Sequence, residues 1–238
     1  MATSRAGVGA RVASGLAKLG HIRAATTTLV ENAADVDACL GGLESLVDVE
    51  PNLFALTAGD ERWLPRLVAA LGESRAVADF WCRHPEHLTD LAEESELSNL
   101  RAEAELRQFM LGATSPAELR ISYQRFLAVI TALDATGEID FVTVSQLLAD
   151  IAVATLDAAL QIARSNEPDA DSVRLAIMAM GKTGGRELNY ISDVDVIFVH
   201  DVTEGFDDHK GIQVAARLAT AVITMCGEHS AEGTIWEV

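Results

Sequence analysis

At 238 residues the chain is long enough to bury a sizeable core in one or two domains. It is 49% hydrophobic, yet no run of about 18 apolar residues occurs, so no membrane span is expected. Formal net charge is −18, and the first 30 residues hold four basic side chains (Arg5, Arg11, Lys18, Arg23) and no acid. The 14 basic and 36 acidic residues that follow carry −22, a field that repels nucleic acid and favours a protein or a small nucleotide as partner.

Residues 1–30 have the composition of a transit peptide. A poorly ordered basic tail with a short helix over Val12 to Leu19 explains them as well. Cys39, Cys82 and Cys226 are scattered and lack metal-ligand spacing, which points to reduced thiols and a cytoplasmic setting.

Residues 31–165 read as a helical region. A helical pattern over 29–47 (Leu29, Ala33, Val36, Leu40, Leu43) should break at Gly41-Gly42. Leu64, Leu67, Val68 and Leu71 predict a helix to Gly72, followed by one from Ser74 to Arg83 and another from Pro85. Seven acids lie within 86–105 and read as a solvated face, without a metal site at His84 or His87. Ser115-Pro116-Ala117-Glu118 is a helix start with a capping box. That helix ends near Gly137, and Asp140 opens a long one with an apolar stripe of Val144, Leu147, Leu148 and Ile151. The polar run 165–169 is a linker, where a domain boundary is expected before a core over 170–238.

The core opens with an apolar strand, Val173 to Met180, and a glycine corner at Gly181, Gly184 and Gly185. A second strand, Asp193 to Val199, begins with two carboxylates. Strand side chains alternate, so Asp193 and Asp195 share a face about 6.5 Å apart while Val194 and Val196 turn inward. Paired acids repel unless a cation lies between them, and oxygen ligands beside a phosphate site suit Mg²⁺. The N–H groups of the corner and of Lys182 favour phosphate. Arg186 either neutralises phosphate or pairs with Glu187, and Ser192 either bonds phosphate or orients Asp193. Gly181-Lys182-Thr183 is not a P-loop, because Ala176 stands where that motif needs glycine. Helix 209–226 and a third strand, Thr234 to Val238, complete an α+β unit.

Met180-Gly181-Lys182 and Ser192-Asp193-Val194-Asp195 resemble the nucleotidyltransferase superfamily of DNA polymerase beta, with Lys182 where glycine or serine is usual. The full string from Met180 to Phe198 is similar to the bifunctional glutamine synthetase adenylyltransferase/adenylyl-removing family. Its Asn189-Tyr190-Ile191-Ser192 form resembles the adenylyl-removing domain. The likeness covers about residues 60–238 and is specific after Val173. It implies a largely helical N-terminal region followed by an incomplete polymerase beta-like palm sheet. The implied reaction is phosphorolytic removal of AMP from a glutamine synthetase tyrosine, giving ADP and regulating nitrogen assimilation. Adenylylation of that tyrosine from ATP is the reverse reading, and a non-catalytic nucleotide- or partner-binding piece is a third. The implied metal ligands are Asp193 and Asp195. The implied phosphate and nucleotide (ATP/ADP) contacts are Gly181, Lys182, Gly184, Gly185, Arg186 and Ser192. Glutamine synthetase is the implied partner, with a PII signalling protein reached through regions outside this chain. The family pattern puts a third carboxylate just past Val238, so the chain is expected to be an N-terminal piece, inactive alone.

Overall fold

The computed structural model describes residues 12–14, 24–53, 60–93, 95–99 and 103–236. Residues 12–14 are helical, and the rest of the expected tail helix lies outside the described residues. The fold is α+β, mostly helix with a small antiparallel sheet. It divides into two compact units. One comprises residues 1–99 and 127–140, and the other 100–126 and 141–238.

The first unit contains α1 (Ala24–Glu31), α2 (Val36–Val49), α3 (Trp63–Glu73), α4 (Arg75–Arg83) and a 3₁₀ segment, Pro85–Leu91. The predicted helix over 29–47 is two helices, because Asp35 caps α2 by accepting from the Ala38 N–H at 2.9 Å. No break occurs at Gly41-Gly42. A Cβ on Gly42 would lie 2.9 Å from Leu71 Cδ2, so glycine lets α3 approach α2 closely. Ser74 caps α4, as its spacing predicts. The core is built on Leu43, Leu46, Trp63, Leu67, Leu71, Phe80 and Trp81, each at most 1% exposed. Arg66 is buried in this unit. Its guanidinium grips Glu138 through Nε–Oε1 at 2.8 Å and Nη2–Oε2 at 2.7 Å, and Nη1 donates to the Leu91 carbonyl.

Helix α5 (Glu96–Asn99) closes the first unit's N-terminal segment, and α6 (Glu103–Met110) opens the second. Between residues 86 and 105 the described acids are exposed, except Asp90, which is 9% exposed. Helix α7 (Pro116–Ala135) gives its first part to the second unit and its later part to the first. Its start is capped as expected, the Glu118 N–H donating to Ser115 Oγ at 3.2 Å. The Glu118 carboxylate reaches back to the N–H and hydroxyl of Thr114.

In the second unit α8 (Phe141–Ser165) packs against α6, against the first strand (Val173–Ala179) and against the later helix α10 (Asp208–Gly227). Segments 100–126 and 141–165 therefore belong with the sheet, so the packing units do not divide at 165–169. By length and composition α8 could cross a membrane, but 67% of its most apolar window is buried in the protein. Strand β1 (Val173–Ala179) pairs antiparallel with β2 (Val196–Val202). Alternating residues of β1 (Val173, Leu175, Ile177, Ala179) turn inward, and Arg174, Ala176 and Met178 face out opposite Asp201, Val199 and Ile197. The expected third strand is absent over 234–236, which form no ladder, and 237–238 lie outside the described residues. Trp236 is 8% exposed against Tyr123, an edge-on pair with centroids 5.0 Å apart.

Candidate active site

Between the strands the chain turns through α9 (Gly181–Gly184). Gly181 enters it at φ +52°, a left-handed conformation that suits glycine. A Cβ on Gly184 would lie 2.5 Å from the Ala179 carbonyl oxygen, so this position must also lack one. At the exit the Glu187 N–H donates to the Lys182 carbonyl (2.8 Å) and the Arg186 N–H to the Thr183 carbonyl (3.2 Å). This is a Schellman closure, with Arg186 at φ +57° where glycine is usual.

Arg186 is the one described non-glycine residue with positive φ. A side chain there costs roughly 1–2 kcal/mol. The guanidinium supplies a compensating tie, with Nε 2.9 Å from Asp150 Oδ1 and Nη2 2.5 Å from Oδ2. Asp150 lies on α8 at 5% exposure. The paired carboxylate holds the Arg186 pKa above its ordinary range, through the hydrogen bond first and charge second. Arg186 thus pairs with Asp150, not with Glu187, and it pins the corner to α8. Sequence reasoning missed Asp150. The available signal was a carboxylate set between Ala149 and Ile151 in an otherwise apolar stripe.

Asp193 and Asp195 stand just before β2, not within it. Their segment is nevertheless extended and tied to the corner, because the Met180 N–H donates to the Asp195 carbonyl at 2.8 Å. That bond continues the register one pair past Ala179↔Val196. Alternation survives: Val194 is 1% exposed, and both aspartates are exposed. A Cβ on Gly181 would approach Asp195 Oδ2 to 3.1 Å, so the missing side chain keeps one flank of that carboxylate open. Ser192 Oγ lies 3.4 Å from Asp193 Oδ1, in reach to orient it. Lys182 Nζ contacts Asn189 Oδ1 at 3.5 Å and is otherwise at the exposed rim. Gly184 and Gly185 are exposed on the same turn.

The corner therefore brings together an exposed carboxylate pair, a short helix start whose first N–H groups have no preceding carbonyl, and one ammonium group. Two hard oxygen donors beside N–H donors can hold a divalent cation on one side and phosphate oxygens on the other. All eight sequence-derived site residues fall within this corner, with Arg186 turned to Asp150.

The family model of glutamate-ammonia ligase adenylyltransferase matches residues 64–238. A bifunctional glutamine synthetase adenylyltransferase/adenylyl-removing enzyme of Streptomyces avermitilis is 41% identical over 212 residues, 86% of this chain and 21% of that protein. The enzyme so named in Streptomyces coelicolor is 39% identical, over 86% of this chain and 22% of that protein. The one in Mycolicibacterium smegmatis is 35% identical, over 84% and 22%. The chain spans about a fifth of the length of these relatives. A match over most of the chain, including the whole carboxylate and glycine corner, means that the chain belongs to the glutamate-ammonia ligase adenylyltransferase family.

Proposed function

We propose that this chain contributes the catalytic corner of an adenylyl-removing reaction. Inorganic phosphate attacks the AMP–tyrosine bond of glutamine synthetase, the tyrosine oxygen leaves, and ADP is formed. The observation that carries the reading is the Met180–Asp195 backbone bond, which fastens the carboxylate pair to the glycine turn. The metal-binding pair and the phosphate-binding turn are thereby held in one geometry before any substrate arrives.

Asp193 and Asp195 would hold Mg²⁺, which when bound supplies charge neutralisation and alignment of phosphate oxygens. The N–H groups of Gly181 and Lys182 and the Lys182 ammonium bind phosphate of ADP or the attacking anion. Gly184 and Gly185 let the backbone pass close to that anion. Ser192 orients Asp193. Arg186 acts through the turn it pins and is a positioning residue. Glutamine synthetase is the partner in this reading, and a PII signalling protein acts through regions outside this chain. The setting is the bacterial cytoplasm, in control of nitrogen assimilation.

Titrating ADP with and without Mg²⁺ tests the corner, read by amide signals of residues 180–195 and by calorimetry. Mg²⁺-dependent binding that disappears in Asp193→Asn/Asp195→Asn is the expected result, and signals that stay put for the unsubstituted chain overturn the proposal. Direction is then assigned with a protein of the relatives' full length. Phosphate-dependent release of ADP from adenylylated glutamine synthetase supports removal. ATP consumption with unmodified glutamine synthetase alone assigns the reverse reaction, and binding without turnover makes this a nucleotide-binding module.

A further inference from the structure

A second cluster lies in the first unit, where the sequence was read as carrying no metal site. His84 ends α4, and its N–H donates to the Phe80 carbonyl at 2.9 Å. Pro85 then opens the 3₁₀ segment, and the His87 N–H donates to the His84 carbonyl at 3.1 Å. In a 3₁₀ turn side chains at i and i+3 eclipse, so the two imidazoles emerge on one edge. Their rings are 6.0 Å apart between centroids. Both pack on Phe80, which is 1% exposed and stacks on His87 with an interplanar angle of 5°. The ring planes are therefore set by packing.

Glu86 fills the space between them. Its Oε1 lies 3.5 Å from His84 Nδ1 and 3.8 Å from His87 Nε2. All three ligand atoms lie within 4.8 Å of one another. Tetrahedral Zn²⁺ with bonds of about 2.0–2.1 Å puts its ligand atoms roughly 3.4 Å apart. The two Glu86 contacts already lie within a few tenths of an ångström of that spacing, and the two ring nitrogens, no more than 4.8 Å apart, would close on the ion. The second ring nitrogen of His87 faces Asp90, with Nδ1 and Oδ2 3.7 Å apart. A carboxylate behind a metal-binding histidine orients it and leaves its far nitrogen, here Nε2, for the ion. The charges also balance, since Glu86 and Asp90 together match a dication.

We propose that His84, Glu86 and His87 bind a divalent transition-metal ion, with Zn²⁺ as the fitting probe, water in the fourth position and Asp90 orienting His87. The site is independent of the glycine corner and of Mg²⁺, whose hard-oxygen preference two imidazoles do not meet. Nothing in the adenylyl chemistry proposed above requires it. As a clip it would join the end of α4 to the 3₁₀ segment.

Zn²⁺ titration of the 238-residue chain, with a chromophoric chelator as competitor, tests the site. One ion per chain is expected, with a rise in melting temperature that follows Zn²⁺ concentration. Co²⁺ in its place should give the visible spectrum of a tetrahedral nitrogen and oxygen site. Glu86→Gln, at an exposed position that leaves packing intact, should weaken binding at least tenfold. His84→Gln/His87→Gln should abolish it, with circular dichroism confirming the fold, while Cys82→Ser should leave it unchanged. The absence of saturable binding at millimolar Zn²⁺, or equal affinity in Glu86→Gln and the parent, overturns the assignment.

Discussion

Glu138→Gln is the sharpest test of how the first unit is held together. Arg66 is 4% exposed, and Glu138 supplies both oxygens of its fork. The Arg66 hydrogen bond, working against burial and helped by the Thr136 hydroxyl, lowers the Glu138 pKa from 4.5 to about 2. At roughly 1.4 kcal/mol per pH unit, such a carboxyl contributes about 3 kcal/mol at neutral pH. Removing one partner of a buried pair costs roughly 3–5 kcal/mol, which agrees. Because the folded pKa is the depressed one, this stability is full above about pH 4.5 and is lost as pH falls toward about 2. The assay is urea unfolding followed by tryptophan fluorescence, since Trp63 and Trp81 are both buried in this unit. The Gln variant should lose about 3 kcal/mol at neutral pH, and near pH 3 less than half of that gap should remain. A gap below about 1 kcal/mol at neutral pH, or one that does not change on acidification, refutes the argument.

Three further outcomes follow from local geometry. Gly184→Ala drives a Cβ into the Ala179 carbonyl, so the corner must shift. Mg²⁺-dependent ADP affinity should fall at least tenfold while the thermal unfolding of the chain stays cooperative. Arg186→Gly relieves the left-handed strain but strands Asp150, whereas Arg186→Ala keeps strain and also loses the tie. Melting temperatures should rank parent, then Gly, then Ala, and an Ala variant as stable as the parent would show that the ion pair does not hold the turn. Burial pushes the Cys39 and Cys226 thiols up to about 12, so a thiol-specific reagent at pH 8 should label them only after unfolding.

Helices were legible wherever a cap and an apolar stripe agreed, as at Ser74 and Ser115. Gly41-Gly42 misled because propensity weighs a residue by itself. Two glycines inside a helix cost roughly 1 kcal/mol each, but the approach of Leu71 to Gly42 is available only without a Cβ. Packing across the unit decided that position, and packing is not written in a local window. The start of β2 was misplaced for a related reason. The residues 193–195 have strand alternation, yet β1 ends at Ala179 because Gly181 turns away at φ +52°. A strand exists only where its partner continues, and the partner's end is set by a glycine fifteen positions from Val196.

That the carboxylates and the glycines meet at one corner was legible because residue type and short spacing carry it. The groups that hold the corner in place were not, because they come from elsewhere in the chain. Asp150 is 36 positions from Arg186, and only a folded α8 brings it within 2.5–2.9 Å. The pairing also explains why an arginine occupies a left-handed position that glycine would fill without strain. Glycine would close the same Schellman turn, but it would leave the corner attached to α8 by packing alone. With arginine, the turn that carries Gly181 and Lys182 is anchored at its far end. Its near end is anchored by the Met180–Asp195 bond. If the corner takes up phosphate as proposed, a loop fixed at both ends would lose little freedom in doing so, and that saving would appear as affinity.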